Sequence, residues 1–318
     1  MNANRLEVKP IAITMGDPAG IGPEIIAKAF RDAPGVTQNC FVVGDLATLR
    51  RAVKIVGGDH IALPVALIES PADVAGVPPN CIPLLQISEL PTLVPIGFVS
   101  DLAGKLAADC VVWAARAALK GEVAAMVTAP LHKEALALAF KANSNAPGAS
   151  IYDFPGHTEM LQAQAALHAG KPVSDMPVRM MLANDELRVV LVSIHVALID
   201  AIRAVTLENV VQTLRITHAA LGAVLGRAPR IGVAGLNPHA GEGGLFGREE
   251  IDVIAPAIAQ ARAEGIDAHG PFAPDTVFMR ARATPAKAGD FDAVVAMYHD
   301  QGLIPVKYLG VEKGVNVT

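Results

Sequence analysis

The sequence has no excess of basic residues. Its 26 lysines and arginines are outnumbered by 31 aspartates and glutamates, the formal net charge is −5, and charged residues make up only 18% of the chain. Binding to nucleic acid or to an anionic membrane relies on a basic face that releases counterions, so this balance argues against both partners. It does not argue against a small anionic ligand, because such a ligand needs only a local cluster of donors.

Cysteines are few, and long apolar runs are missing. Cys40, Cys81 and Cys110 are far apart and outside any CxxC spacing, which indicates reduced thiols in a reducing compartment rather than a disulfide framework. Residues 1–9 carry no signal-peptide pattern, and the longest apolar runs are about as long as a strand, far short of the roughly 20 residues of a membrane helix. We therefore expect a cytoplasmic protein without a membrane partner.

Strand and helix patterns alternate along the chain, which is typical of an α/β protein. A chain of 318 residues with 52% apolar composition exceeds what one core usually serves, so two subdomains are expected. Apolar runs predict strands at 11–15, 41–43, 124–128, 230–234 and 293–297. Capping residues and periodicity predict helices that begin near Gly22 and that cover 100–119, 206–225 and 249–264.

The middle of the chain departs from this alternation. Residues 141–153 are rich in Asn, Ser, Ala, Gly and Pro, and predict a loop. Two apolar runs at 178–183 and 187–194, joined by Asn-Asp-Glu, predict a β-hairpin. An antiparallel pair inside an α/β pattern indicates a second domain.

Three histidines come just after predicted strands. His195 follows LRVVLVSI, His239 lies past RIGVAGL, and His299 follows DAVVAMY. The carboxyl ends of strands in an open α/β sheet converge on the ligand crevice, so these side chains can approach one another. Three neutral imidazoles with an open position form a catalytic metal site, in which Asp300 either accepts a hydrogen bond from His299 or binds the metal. The alternative is that each is an ordinary polar residue where a strand meets solvent.

Two glycine-rich segments also follow strands. MGDPAGIGPE at Met15–Glu24 does not fit GxGxxG and lacks the acidic residue of a dinucleotide-binding fold, so we reject a Rossmann fingerprint. GLNPHAGEGGLFGREE at Gly235–Glu250 brings glycines to a helix start, which favours an anion or a metal-bound substrate over a merely irregular loop. FPGHTE places His157 and Thr158 at a predicted helix start, where they either donate to a phosphate or carboxylate or cap the helix.

Six motifs run in a fixed order along almost the whole chain: GDPAGIGPE from Gly16, TAPLHK ending at Lys133, PGHTE from Pro155, GLNPHAGEGG from Gly235, PDTVF from Pro274 and MYHDQGLIPVK ending at Lys307. Together they resemble the 4-hydroxythreonine-4-phosphate dehydrogenase family of pyridoxal phosphate biosynthesis. The resemblance implies two α/β/α subdomains with a cleft between them, similar to isocitrate and isopropylmalate dehydrogenases and not Rossmann. We expect a first domain over 1–135 plus 300–318, and a second over 136–299 that carries the metal, substrate and dimer contacts.

The resemblance also implies roles for individual residues. The family binds a divalent metal (zinc, cobalt, manganese or magnesium) in a site shared by the two subunits of a homodimer. Its metal ligands are matched by His195, His239 and His299. Its substrate-contacting positions are matched by His157, Thr158, Lys307 and Asn316. The family continues past GVNVT with a segment that carries a substrate-binding arginine and a cofactor loop. No cofactor-binding residue is therefore assigned within the 318 residues.

The implied reaction is oxidation of 4-phosphohydroxy-L-threonine by NAD, or by NADP, with decarboxylation to 3-amino-2-oxopropyl phosphate. The metal holds the substrate hydroxyl for hydride transfer and stabilises the charge left when carbon dioxide departs. Lys307, Asp275 and Asp300 are the candidates for proton transfer and charge stabilisation, and membership of a structural ion pair is the alternative for each.

Other functions stay open at this stage. The stretch NSNAPGASIYD before FPGHTE is longer than expected of the vitamin B6 enzyme, so D-threonate or D-erythronate 4-phosphate, the substrates of paralogues, are alternatives. Three histidines also suit a metallohydrolase or a non-catalytic metal-binding relative. Reduction of NAD by a phosphorylated hydroxy acid, without release of phosphate, separates a dehydrogenase from a hydrolase.

Overall fold

Two compact units make up the chain. The computed structural model describes residues 8–58, 63–143 and 156–318, and their contacts divide the chain into Met1–Pro177 and Val178–Thr318. Each unit is built on one β-sheet.

The first unit contains a parallel sheet of five strands. Its strands are β1 (Ile11–Thr14), β2 (Cys40–Gly44), β3 (Val65–Ile68), β4 (Ile82–Gln86) and β5 (Ala125–Thr128), in the spatial order β3-β4-β2-β1-β5. Its helices are α1 (Gly22–Asp32), α2 (Pro34–Thr37), α3 (Leu46–Gly57), α4 (Asp101–Leu119), α5 (Lys133–Asn143) and α6 (His157–Ala169), with 3-10 turns at Pro71–Gly76 and Val173–Asp175.

The second unit contains a mixed sheet of six strands. Its strands are β6 (Met181–Ala183), β7 (Arg188–Leu191), β8 (Ile231–Ala234), β9 (Ala268–Phe272), β10 (Ala293–Ala296) and β11 (Val315–Val317), in the order β11-β6-β7-β10-β8-β9. Its helices are α7 (Leu198–Arg203), α8 (Leu207–Leu225), α9 (Ala255–Ala263), α10 (Pro274–Ala281) and α11 (His299–Tyr308), with 3-10 turns at Pro238–Gly244 and Val311–Lys313 and a π-helical turn at Glu250–Ile254. β6 is antiparallel to both of its neighbours. The four strands β7, β10, β8 and β9 are parallel to one another.

Successive side chains of a strand point to opposite faces of the sheet, and helices cover both faces of each sheet. In the first unit, Val42 packs on the side of α1 and α3, and its neighbour Phe41 packs on the side of α4. In the second unit, Val295 packs with α8 and α9, and Val294 packs with α10 and α11. Both units are therefore α/β/α sandwiches, as predicted. None of the helices in the described ranges is long and apolar enough to cross a lipid bilayer.

Most of the predicted elements are present, and the caps explain where the long helices begin. Ser100 Oγ accepts from the N–H of Ala103 at 3.1 Å at the start of α4, and Thr206 Oγ1 accepts from the N–H of Asn209 at 3.2 Å at the start of α8. The predicted hairpin is the antiparallel pair of β6 and β7.

Two predicted elements differ from the structure. Residues 141–143 complete α5 instead of opening a loop, and the rest of the predicted loop lies outside the described residues. The predicted helix over 249–264 begins with the π-helical turn and continues as α9.

The compact units also differ from the predicted domain ranges. Residues 136–143 and 156–177 belong to the first unit, where α5 and α6 pack against α4. Residues 300–318 belong to the second unit, because α11 packs on β7 and β10, and β11 pairs with β6. The helix that begins at His299 therefore stays with the sheet from which it emerges.

Candidate active site

Three adjacent parallel strands end at one edge of the second sheet. β10 lies between β7 and β8 and is hydrogen-bonded to both. His195 lies in the segment that leaves β7, His299 in the segment that leaves β10, and His239 in the segment that leaves β8. Since parallel strands present their carboxyl ends on the same edge, all three histidines belong to this edge of the sheet.

His195 and His299 face each other. Their ring centroids are 5.6 Å apart with an angle of 46° between the planes, and both rings line a cavity of about 330 Å³ together with Asp300 and Tyr298. His299 Nδ1 lies 2.7 Å from Asp300 Oδ1. A carboxylate oxygen can only accept, so Nδ1 carries the hydrogen of this bond, and Nε2 of the neutral ring keeps its lone pair for a ligand such as a metal.

His239 lies in a strained loop. The six residues 239–244 all have positive φ, between 42° and 99°, although only three of them are glycines. Non-glycine residues adopt this conformation at a cost, and they keep it only where the surrounding structure holds them.

A buried carboxylate holds this loop. Glu250, 3% exposed, accepts through Oε1 from the N–H groups of Leu236 and Asn237, both at 2.7 Å, and through Oε2 from Asn237 Nδ2 at 3.0 Å. A Cβ on Gly241 would lie 2.7 Å from Glu250 Oε2, so the loop needs glycine there. The Asn237 amide also donates to Glu249, which lowers the pKa of that carboxyl group.

The histidine edge fits part of a metal site. Two imidazoles share one cavity, and one of them is oriented by a carboxylate, as in many metal-ligating histidines. In the described ranges, however, no group of three or more His, Cys, Asp or Glu side chains is arranged to hold a metal ion. The structure therefore brings His195, His299 and Asp300 together and does not close the set with His239.

His157 and Thr158 lie in the first unit, at the start of α6. The preceding residue, Gly156, provides no side-chain cap, and Phe154 and Pro155 of the same motif lie outside the described residues. The Nε2 atom of His157 is buried and has no hydrogen-bond partner in the described structure. Desolvation lowers the pKa of His157, against a smaller opposing effect of Glu159. A buried, unpartnered ring nitrogen at a helix start is what a ligand-contacting histidine would show.

The remaining candidates lie away from the histidine cavity. Lys307 is exposed on the last turn of α11, about 12 Å from His299 along the helix axis. Asn316 is exposed on the edge strand β11, opposite Leu182, and Asp275 is exposed in the first turn of α10. None of these three lines the cavity of His195 and His299.

Three amides of the glycine-rich loop after β1 have hydrogen-bond partners within the protein. Ala19 N–H donates to Asp17 Oδ1 at 2.9 Å, Gly20 N–H to the Asp17 carbonyl at 3.0 Å, and Asp17 N–H to the Pro130 carbonyl at 2.9 Å. These amides are not available to a diphosphate, which agrees with the rejection of a Rossmann fingerprint. A Cβ on Gly16 would overlap Pro130, so this loop and the TAPLHK segment after β5 form one tightly packed corner.

Sequence reasoning missed two residues at the histidine edge. The sequence placed Glu250 at the end of a glycine-rich segment and in the predicted helix over 249–264, and it placed Gln301 in the MYHDQGLIPVK motif. Glu250 accepts from N–H groups 13 and 14 residues away, and Gln301 donates to a carbonyl 66 residues away, so periodicity and spacing carry no signal for these contacts.

The chain has relatives of similar sequence and fold among known proteins. A family model described as "Pyridoxal phosphate biosynthetic protein PdxA" matches residues 36–318. The chain belongs to this family. This membership confirms the family resemblance that the six motifs indicated.

Individual relatives cover nearly all of the chain. The 4-hydroxythreonine-4-phosphate dehydrogenase of Beijerinckia indica is 49% identical over 309 residues, which are 97% of this chain and 83% of the relative. The D-threonate 4-phosphate dehydrogenase of Salmonella typhimurium is 42% identical over 313 residues, which are 98% of this chain and 88% of the relative. The crystal structure of 4-hydroxythreonine-4-phosphate dehydrogenase from Klebsiella pneumoniae matches with a TM-score of 0.83 at 39% identity. The matched region is 99% of this chain and 87% of the Klebsiella chain. This match confirms the predicted non-Rossmann α/β fold.

Proposed function

We propose that the chain is an NAD- and divalent-metal-dependent dehydrogenase that oxidises and decarboxylates 4-phosphohydroxy-L-threonine. The 49% identity over 97% of the chain to an enzyme named for this activity carries the proposal. The pair of facing imidazoles at the ends of β7 and β10 supports it from the geometry.

His195, His239 and His299 would hold the metal. When bound, a divalent metal supplies Lewis acidity, which lowers the pKa of a substrate hydroxyl and offsets the negative charge left by departing carbon dioxide. Asp300 keeps the hydrogen of His299 on Nδ1, so that Nε2 points its lone pair away from the carboxylate. Of the three candidates for proton transfer, Asp300 is the one that lines the cavity, so we assign it this role ahead of Lys307 and Asp275.

Four residues are the candidates for binding the phosphorylated substrate. Burial lowers the pKa of His157, whose ring offers a directed N–H or a lone pair, and Thr158 follows it on α6. Lys307 and Asn316, both exposed, supply a charge and an amide. A phosphate dianion needs such local donors because the protein as a whole is acidic.

A homodimer with a shared site is part of the proposal. The described residues of one chain supply no complete group of metal ligands. Next to His195, the apolar side chains of Val196, Leu198 and Ile199 are each more than half exposed, and in the His239 loop Leu245 is 73% exposed. Apolar surface beside an incomplete site favours completion by a second copy of the chain.

The second candidate substrate is D-threonate 4-phosphate, or its epimer D-erythronate 4-phosphate. The 42% identity over 98% of the chain to a D-threonate 4-phosphate dehydrogenase favours it. Both candidates are phosphorylated acids with a secondary alcohol, so the same metal and NAD chemistry serves both. Comparing kcat/KM on the two compounds decides between them.

Alanine variants of His195, His239 and His299 test the metal proposal. Each should lose at least about a hundredfold in kcat/KM and keep its circular dichroism spectrum, because an open site loses a ligand while the cores are untouched. The exposed His168 on α6, replaced by Ala, is the control and should keep full activity. Wild-type turnover in the three variants after dialysis against a chelator would refute the assignment.

A further inference from the structure

Gln301 joins the ends of two parallel strands. Its Oε1 accepts from the N–H of Met297 at 2.7 Å, and its Nε2 donates to the carbonyl of Gly235 at 2.7 Å. Met297 follows β10 and Gly235 follows β8, and both are buried. One side-chain amide thus satisfies two main-chain groups that would otherwise be buried without a partner.

Further hydrogen bonds extend this connection on both sides. Toward β7, Ser193 Oγ donates to the carbonyl of Met297 at 3.0 Å. On the side of β8, Glu250 accepts from the N–H groups of Leu236 and Asn237, the two residues after Gly235. A continuous set of hydrogen bonds therefore crosses the carboxyl ends of β7, β10 and β8.

The three histidines are placed regularly along this set. His195 lies two residues after Ser193, and His239 lies two residues after Asn237. His299 lies between Met297 and Gln301, two residues from each. Every histidine is thus one short backbone step from a residue that the network fixes.

The strand ladder does not need this network. β8 and β10 are paired from Ala293 with Ile231 to Val295 with Val233, and the bonds of Gln301 lie beyond the last of these pairs. The ladder aligns the strands, and Gln301 fixes where the two segments go after they leave the sheet. The positive φ of His239 calls for such support, because that conformation is unfavourable on its own.

We infer that Gln301 is a positioning residue, which fixes the backbone of the His299 segment and of the segment that leads into the His239 loop, so that each imidazole is held in place for metal binding. The inference rests on the proposed function. Glu250 and Ser193 extend the same support toward His239 and His195. Gln301 itself is not proposed to contact the metal or the substrate.

Cobalt binding to the full chain tests the inference. Gln301→Met keeps the size of the side chain and removes both hydrogen bonds. We expect Co²⁺, titrated alone and followed by calorimetry and by its visible absorption spectrum, to bind about ten- to a hundredfold more weakly than to the wild type, with an altered spectrum. The matched control is Gln162→Met on α6, which also loses a side-chain amide that donates to main-chain carbonyls, those of Val173 and Met176. The control should bind Co²⁺ as the wild type does.

The outcomes separate the inference from the proposed function. Unchanged Co²⁺ affinity and spectrum in folded Gln301→Met overturn the inference and leave the proposed function intact. A wild type that does not bind Co²⁺ overturns both. If Gln301→Met does not fold, Gln301→Glu decides, because it keeps the acceptor for Met297 and loses the donor to Gly235. Weakened Co²⁺ binding in that variant supports the inference, and wild-type binding overturns it.

Discussion

His157 combines burial with a ring nitrogen that lacks a partner in the described structure. Desolvation lowers its pKa below the ordinary 6.5, so the folded state takes up a proton less readily than the unfolded state. As the pH falls through 6.5, the unfolded chain is protonated first, and the free energy of unfolding decreases. The stabilising contribution of the neutral ring is fully present above that pH.

We predict that His157→Gln makes the free energy of unfolding less dependent on pH. Urea unfolding between about pH 7 and about pH 5 should show a smaller loss of stability in the variant than in the wild type. His168→Gln on the same helix, where the side chain is exposed, should keep the wild-type slope. Identical slopes for His157→Gln and wild type would show that the ring is not held neutral by burial.

Lys307 is predicted to act on the phosphate and not on the reacting carbon. It is exposed at the far end of α11 from His299 and does not line the histidine cavity. Lys307→Ala should lose at least about tenfold in kcat/KM on the phosphorylated substrate, since a charged hydrogen bond contributes ~1.5–3 kcal/mol. It should lose much less on the dephosphorylated analogue, which lacks the partner group.

The exposed Lys313 provides the control for Lys307. Lys313→Ala removes a surface cation of the same unit, whose contact is a 3.9 Å ion pair with Asp185, and should change kcat/KM little on either compound. Equal losses of Lys307→Ala on both compounds would assign Lys307 to the chemical step instead.

At the scale of the element, two helix glycines should respond to alanine with opposite signs. A Cβ on Gly104 of α4 would overlap the main chain of Ala135 in α5, so these helices approach closely through that glycine. A Cβ on Gly222 of α8 would meet only ordinary contacts, at 3.8 and 3.9 Å. We predict that Gly222→Ala raises the free energy of unfolding by up to about 1 kcal/mol, because alanine favours the helix.

Gly104→Ala should lower the free energy of unfolding by about 1–3 kcal/mol in spite of the better helix propensity, because it overpacks the α4–α5 contact. Chemical denaturation of the two variants beside the wild type measures both changes. A stabilised Gly104→Ala would mean that α4 and α5 do not pack as closely as described.

The elements were largely predictable because their signals are local. Apolar runs identified the strands from which the three histidines follow, and Ser100 and Thr206 identified the starts of the long helices. The conformation of the His239 loop was not predictable, because it depends on Glu250 and on six consecutive positive φ angles. Gln301 escaped for a similar reason, since its partner Gly235 lies 66 residues away in sequence. The membership of α5, α6 and α11 in the two units also depends on packing that periodicity does not encode.

At the scale of the whole molecule, we predict a homodimer in solution. Sedimentation velocity should show a dimer, and Leu198→Glu, which puts a charge on the exposed apolar surface next to His195, should weaken dimerisation and cobalt binding together. Val224 is 80% exposed at the end of α8 that leads into the start of β8, whereas the histidines follow the carboxyl ends of the strands, so Val224→Glu should change neither. A fully active wild-type monomer would contradict the shared site.

The products formed from 4-phosphohydroxy-L-threonine and NAD by the metal-loaded protein test the proposed reaction most directly. Oxidation followed by decarboxylation predicts NADH and carbon dioxide in equal amounts, with no free phosphate, and loss of both products after chelation of the metal. D-threonate 4-phosphate, assayed in parallel, should be turned over with a lower kcat/KM. Release of inorganic phosphate without NADH, or NADH formation that survives complete removal of the metal, would contradict the account.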